Sequence, residues 1–236
     1  MFELIKICLL AALRVNRRAL LPGCLFSFCL LAQAAGANNG SDPAPVDLSS
    51  LAASADLVAV VQVKDTDYVY VRDFPSEGSA FLKILIPYKP HDTREDIVEV
   101  YEKGLHAHEC YFENPTVFEE GRRYLGFFRR NPEDPESYVG LAEGCALEIL
   151  VTVENAYALR LPLDGFDLGN ALEQYAEALE FRDSYAVLEE DAISPERRND
   201  LLGRGLLVRY GDGYKYTRGI DLTAARRLLS LEPLKP

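Results

Sequence analysis

The chain has 236 residues, 48% of them hydrophobic, and a formal charge of −12 at neutral pH. That length and apolar content can bury a normal core in one large or two small domains. So acidic a chain is repelled by phosphate backbones and by anionic lipid headgroups, which excludes nucleic acid as an expected partner.

Residues 1–37 carry the pattern of a secretory signal. Arg14, Arg17 and Arg18 precede an uncharged run from Ala19 to Ala37 with Ala-x-Ala cleavage signals at Ala32-Gln33-Ala34 and Ala35-Gly36-Ala37. A retained membrane anchor is the competing reading, because the run is about long enough to span a bilayer. Pro22, Gly23 and the small-residue end favour cleavage instead. Leu21-Pro22-Gly23-Cys24 carries part of a lipid-attachment box, and Arg17-Arg18 forms a twin-arginine pair. Cleavage removes four basic residues and Glu3, taking the formal charge to −15. It also removes Cys8, Cys24 and Cys29, leaving Cys110 and Cys145, which an exported protein is expected to bridge. The expected location is periplasmic or secreted, with no stable membrane insertion once the leader is gone.

Asn38 to Asp47 reads as a linker rich in Asn, Gly, Ser and Pro. Leu48 to Ser54 is expected to be a short helix. Strands are expected over Leu57–Val63, Phe81–Ile86, Ile97–Glu102, Tyr124–Phe128 and Ala146–Val153, from β-branched runs and period-two alternation. Turn signals separate them at Asp73-Phe74-Pro75, at Lys89-Pro90-His91-Asp92 and over residues 131–135. Strands at this spacing suggest a small closed or nearly closed barrel. From about Asp164 the pattern becomes helical. Asp167 can cap a helix whose Leu168, Leu172, Tyr175 and Leu179 share one stripe. Ser194-Pro195-Glu196 opens a second helix with a capping serine and a first-turn proline. Leu206–Tyr210 and Tyr214–Thr217 flank Gly211-Asp212-Gly213 as a tight hairpin, and Thr223–Leu231 is expected to be a last helix.

The stretch Ala55–Arg130 resembles the netrin-module and tissue-inhibitor-of-metalloproteinases type of OB barrel found in secreted bacterial proteins. The residues that carry the resemblance are Ala55 to Val63 as an opening strand, Ile97 to Gly104 as an inner strand, Cys110 in a loop, and Phe118-Glu119-Glu120-Gly121-Arg122-Arg123-Tyr124-Leu125-Gly126-Phe127-Phe128 as a closing strand. The resemblance implies the OB barrel and no activity, because the Cys-x-Cys with which the animal inhibitors reach a protease metal is absent from this chain. The expected fold is thus a β-rich α+β chain: an OB-like barrel over residues 48–163, then a helical appendage with one hairpin over residues 164–236. Leu201 to Gly219 also looks like the helix end and wing of a winged-helix domain, with Arg197, Arg198, Arg204, Arg209, Lys215 and Arg218 as a local basic face. Behind an export signal this unit is expected to pack or to bind protein rather than DNA.

His106-Ala107-His108-Glu109-Cys110 is the one cluster worth testing for a metal, since His106 and His108 share a face of an extended strand. Only His91 remains among the histidines to complete such a site, so exposed loop histidines are the expected outcome and no cofactor is expected. The chain contains no Gly-x-Ser-x-Gly elbow and no phosphate-binding glycine loop. Tyr68-Val69-Tyr70-Val71 could line a barrel's binding face or simply pack. The expected function is that of an exported, non-enzymatic protein with a binding or structural role toward a protein or cell-envelope component. The alternatives are a metal-dependent hydrolase using His106 and His108, and a membrane-tethered regulator using the winged-helix-like unit.

Overall fold

The structure is a computed structural model that describes residues 47–72, 74–89, 96–103, 110, 117–142, 144–162 and 172–231. Helix α1 (Leu48–Ser54) leads into two long antiparallel strands, β1 (Leu57–Val71) and β2 (Phe74–Pro87), followed by β3 (Ile97–Glu102). After Cys110 in the chain come β4 (Arg123–Arg130), β5 (Tyr138–Gly140), β6 (Ala146–Val151) and β7 (Tyr157–Arg160). The sheet order β1-β2-β3-β5-β4 closes on itself because β1 also pairs with β4, with Leu57 opposite Phe128 and Gln62 opposite Arg123. The result is a closed five-stranded barrel in which β3 and β5 run parallel and the other neighbours antiparallel.

Period-two alternation places the two cores. Leu57, Ala59, Val61 and Val63 point into the barrel, where they meet Leu82, Val98, Val100, Phe118, Tyr124 and Phe128. Val58 and Val60 point outward from the same strand, with Leu125 and Phe127 of β4. Because both faces of β1 are covered here, its sequence is a nearly unbroken apolar run rather than an alternating one. The outward set packs under α1 and the C-terminal segment in a second core that includes Leu201, Leu207, Tyr216, Ile220 and Leu229. Lys89 reinforces this junction by donating from Nζ to the carbonyls of Ala52, Ala53 and Ala55 at the end of α1, where a cation complements the helix dipole.

The C-terminal segment contains β8 (Glu177–Ala178), β9 (Val187–Leu188), α2 (Pro195–Gly203), β10 (Leu207–Tyr210), β11 (Gly213–Tyr216), β12 (Arg218–Asp221) and α3 (Leu222–Leu228). α2 starts as its sequence indicates, with the Ser194 hydroxyl accepting from the Arg197 amide and Pro195 in the first turn. The β10–β11 hairpin turns at Gly211, whose φ of 57° suits a residue without a Cβ. The helix expected from Asp167 is a correction. Residues 167–171 lie outside the described residues, Glu173–Tyr175 forms one 3₁₀ turn, and Glu177–Ala178 is a strand paired with β12. Distant strands take the backbone groups a helix would need: the Leu179 amide donates to Thr217, the Arg182 amide to Val151, and the Glu180 carbonyl accepts from Val153. Phe181, off the expected helical stripe, is fully buried.

β12 pairs with β7 as well as β8, so the C-terminal segment extends the barrel's own sheet. Residues 43–236 form one compact unit, and the boundary expected at 163/164 falls inside it. Among the described residues no helix is long and apolar enough to cross a membrane.

Candidate functional site

The bridge between Cys110 and Cys145 is present, with a Cα–Cα distance of 5.4 Å and both residues buried. It ties Cys110, between β3 and β4 in sequence, to the start of β6. Gly140 of β5 lies against it, since a Cβ there would sit 2.8 Å from both Cys110 Sγ and Cys145 Cβ. Linking residues 35 apart in sequence stabilises by about 4 kcal/mol in the chain-entropy picture. His106 and His108 lie outside the described residues, and among the described residues no cluster of three potential metal ligands forms.

Where β4, β6 and β7 meet the C-terminal segment, buried charges assemble around Glu148. Its Oε1 accepts from Arg122 Nη1 at 2.5 Å and its Oε2 from Arg160 Nε at 2.5 Å. Arg122 also donates from Nε to Glu119 at 2.7 Å. The cross-strand register causes this meeting: Tyr124 lies opposite Glu148, and the next pairs along put Glu148 beside Arg160. The C-terminal segment closes over the network with Tyr185, 4.6 Å from the Arg122 guanidinium, and Tyr216, 4.4 Å from that of Arg160. Burial opposes the charge on Arg122, and the Glu148 and Glu119 carboxylates together outweigh it and raise the pKa. Burial, reinforced by Glu148, pushes the Tyr124 hydroxyl well above the ordinary tyrosine range. Each charge here is answered by a neighbour, which makes this cluster a weld between barrel and C-terminal segment. Sequence reasoning missed it. The signal was available as Glu148 and Arg160, single charges inside the apolar stretches Ala146–Val151 and Tyr157–Arg160.

At the open end of the barrel, β1 and β2 continue past the other strands as a two-stranded arm. Its tip exposes Val69, Tyr70, Val71 and Phe74, each more than half accessible. The two tyrosines singled out in sequence separate here. Tyr68 turns inward across Gly78 toward Glu102, in a row where Gly78 pairs with both. A Cβ on Gly78 would meet Tyr68 Cδ1 at 2.7 Å and the Asp67 carbonyl at 2.3 Å. Burial first and Glu102 second raise the Tyr68 pKa beyond the ordinary phenol range. Tyr70 faces solvent. Along the arm's outer edge the Asp65 carboxylate accepts from the Thr66 amide, occupying a donor that an incoming strand would otherwise use.

The side of β1–β2–β3 facing away from the barrel interior carries a different set of residues. In register, Asp65, Phe81 and Glu99 form one row and Asp67, Ser79 and Tyr101 the next, with Val69 and Glu77 beyond. Phe81 and Tyr101 are half-buried, and the carboxylates of Asp65, Asp67 and Glu77 are exposed. Ser79 Oγ donates to Glu99 Oε1 at 2.5 Å, and the Tyr101 hydroxyl lies 3.5 Å from Glu77 Oε2.

The winged-helix-like unit keeps its helix and hairpin, but its basic residues are engaged locally. Arg204 pairs with Glu173 and Asp200, Arg209 lies 3.6 Å from Glu190, and Arg198 donates to the Glu190 carbonyl. Arg218 donates to the Ala176 carbonyl, and Lys215 sits over the Tyr210 ring. No protein-family model, no curated protein and no solved structure matches this chain.

Proposed function

We propose that this chain is an exported, non-enzymatic binding protein of the cell envelope, built on an OB-like barrel. The observation that carries the reading is the strand order β1-β2-β3-β5-β4 closed by β1–β4, with the partly exposed outer face of β1–β3 beside it. OB-like barrels are five-stranded Greek-key barrels that bind ligands across such a face and its adjoining loops. The resemblance of residues 55–130 to netrin-type barrels supports the same fold. The leader pattern of residues 1–37 and the buried Cys110–Cys145 bridge support an oxidising compartment.

The test is expression with the native leader in a bacterial host, followed by fractionation and intact mass with and without reduction. The expected product begins at Ala35 or Asn38, is periplasmic, and gains two hydrogen atoms on reduction. Full-length protein with all five cysteines as free thiols in the cytoplasm overturns the export reading. A photo-crosslinking residue at position 101 should then yield a discrete adduct in cells, and one at the exposed Glu154 should not. Equal adducts at both positions, or none, overturn the reading of a binding role in the envelope.

A further inference from the structure

We infer that the outer face of β1–β2–β3 is a docking surface for a basic, extended polypeptide segment. The inference rests on the binding reading above and adds the chemistry of the partner. Adjacent strands lie about 4.8 Å apart, so Asp65 and Glu99 flank the Phe81 ring on both sides at about that spacing. One row further, Asp67 and Tyr101 flank Ser79, and Val69 lies beside Glu77 on the arm. Four carboxylates thus surround two half-buried aromatic rings, with Lys83 and Ile97 in the row next to Phe81.

These four carboxylates differ from the acids that the fold pairs internally. Glu119, Glu148, Glu173, Asp183, Glu190 and Asp200 all sit within 4 Å of an arginine nitrogen. Asp65, Asp67, Glu77 and Glu99 have no basic partner among the described residues. Two of them are instead oriented by hydroxyls of the same face, Glu99 by Ser79 and Glu77 by Tyr101. A side chain with a long apolar stem and a cationic head fits this arrangement. The stem covers the Phe81 or Tyr101 ring and the head reaches the flanking carboxylates, combining cation–π attraction with ion pairing. Alternate residues of an extended segment repeat at a spacing that matches successive rows of a sheet. The acids repel a phosphate backbone and an anionic membrane, which leaves a basic polypeptide as the occupant.

The test uses the full mature chain, isotopically labelled, titrated with a peptide of about ten residues alternating lysine and tyrosine at low salt. Amide shifts should concentrate on residues 65–69, 77–83 and 97–101. Phe81→Ala and the double variant Asp65→Asn/Glu99→Gln should each weaken binding about tenfold, whereas Glu136→Gln/Glu154→Gln should change it less than about twofold. The amide spectra of the variants report whether each remains folded. Shifts spread evenly over the acidic surface overturn the inference, as does equal weakening by both double variants. Spermidine producing the same shifts at equal affinity also overturns it, because a small polycation would then suffice. Peptide binding at this face without any cellular adduct at position 101 would fault the envelope reading and leave the surface standing.

Discussion

The molecule uses charge in opposite ways on its two sides. On the side where β4, β6 and β7 meet the C-terminal segment, Glu148 lies between Arg122 and Arg160, and Tyr185 and Tyr216 cover the guanidinium groups. On the outer face of β1–β3, Asp65, Asp67, Glu77 and Glu99 surround Phe81 and Tyr101 and meet no base among the described residues. A charge taken out of water must be answered internally, so the first side is closed and holds two parts of one chain together. An exposed charge has no such requirement, and a set of one sign around apolar rings remains available to another molecule.

Three measurements would break or sharpen this contrast. Glu148→Gln leaves two buried guanidinium groups without their shared carboxylate, and stability in urea should fall by about 3–5 kcal/mol. A loss below about 1 kcal/mol would mean the network is wetter than its burial indicates. The second effect is alkaline. The Tyr124 pKa is raised in the folded chain above the ordinary 10.0, so its contribution is complete below that pH and is lost as pH rises toward the folded value. Above about pH 10, stability should decline by up to about 1.4 kcal/mol per pH unit from this residue, and Tyr124→Phe should flatten the decline. An unchanged slope in that variant would remove Tyr124 as the cause. The smallest effect belongs to the open face, where Glu99→Gln keeps an acceptor for Ser79 and should change the unfolding free energy by no more than about 0.5 kcal/mol. A large loss there would show that the acids of this face hold the barrel together after all.

The candidate surface was legible only in fragments. Alternation in Ile97–Glu102 marks a strand with Glu99 and Tyr101 on one face, but nothing local indicates that Phe81 will stand between Asp65 and Glu99. That row depends on a bulge between Val63 and Asp65, which shifts the β1–β2 register by one residue. A one-residue shift moves each following side chain to the other face of its strand relative to the preceding pattern, so the face could not be composed before the pairing was known. The arm itself was half visible: Tyr68–Val71 looked like strand, but its reach beyond the barrel depends on pairing with Phe74–Gly78.

What the sequence determined by itself is the set of elements whose causes lie within a few residues. These are α1, the alternation of β3, the Ser194 cap and Pro195 start of α2, and the glycine turn between β10 and β11. The pairing of Cys110 with Cys145 was expected from the two cysteines that lie outside the leader-like residues 1–37, and the fold brings them together. The tertiary structure alone decided whether residues 173–182 became helix or strand, because the amides and carbonyls of that stretch are satisfied by β12 and by the end of β6. It also decided that Glu148 would meet two arginines, and that four acids of β1–β3 would meet none among the described residues. Local rules govern how a segment starts, turns and alternates. Which distant backbone satisfies it, and which side chain answers a buried charge, is set when the strands find their register.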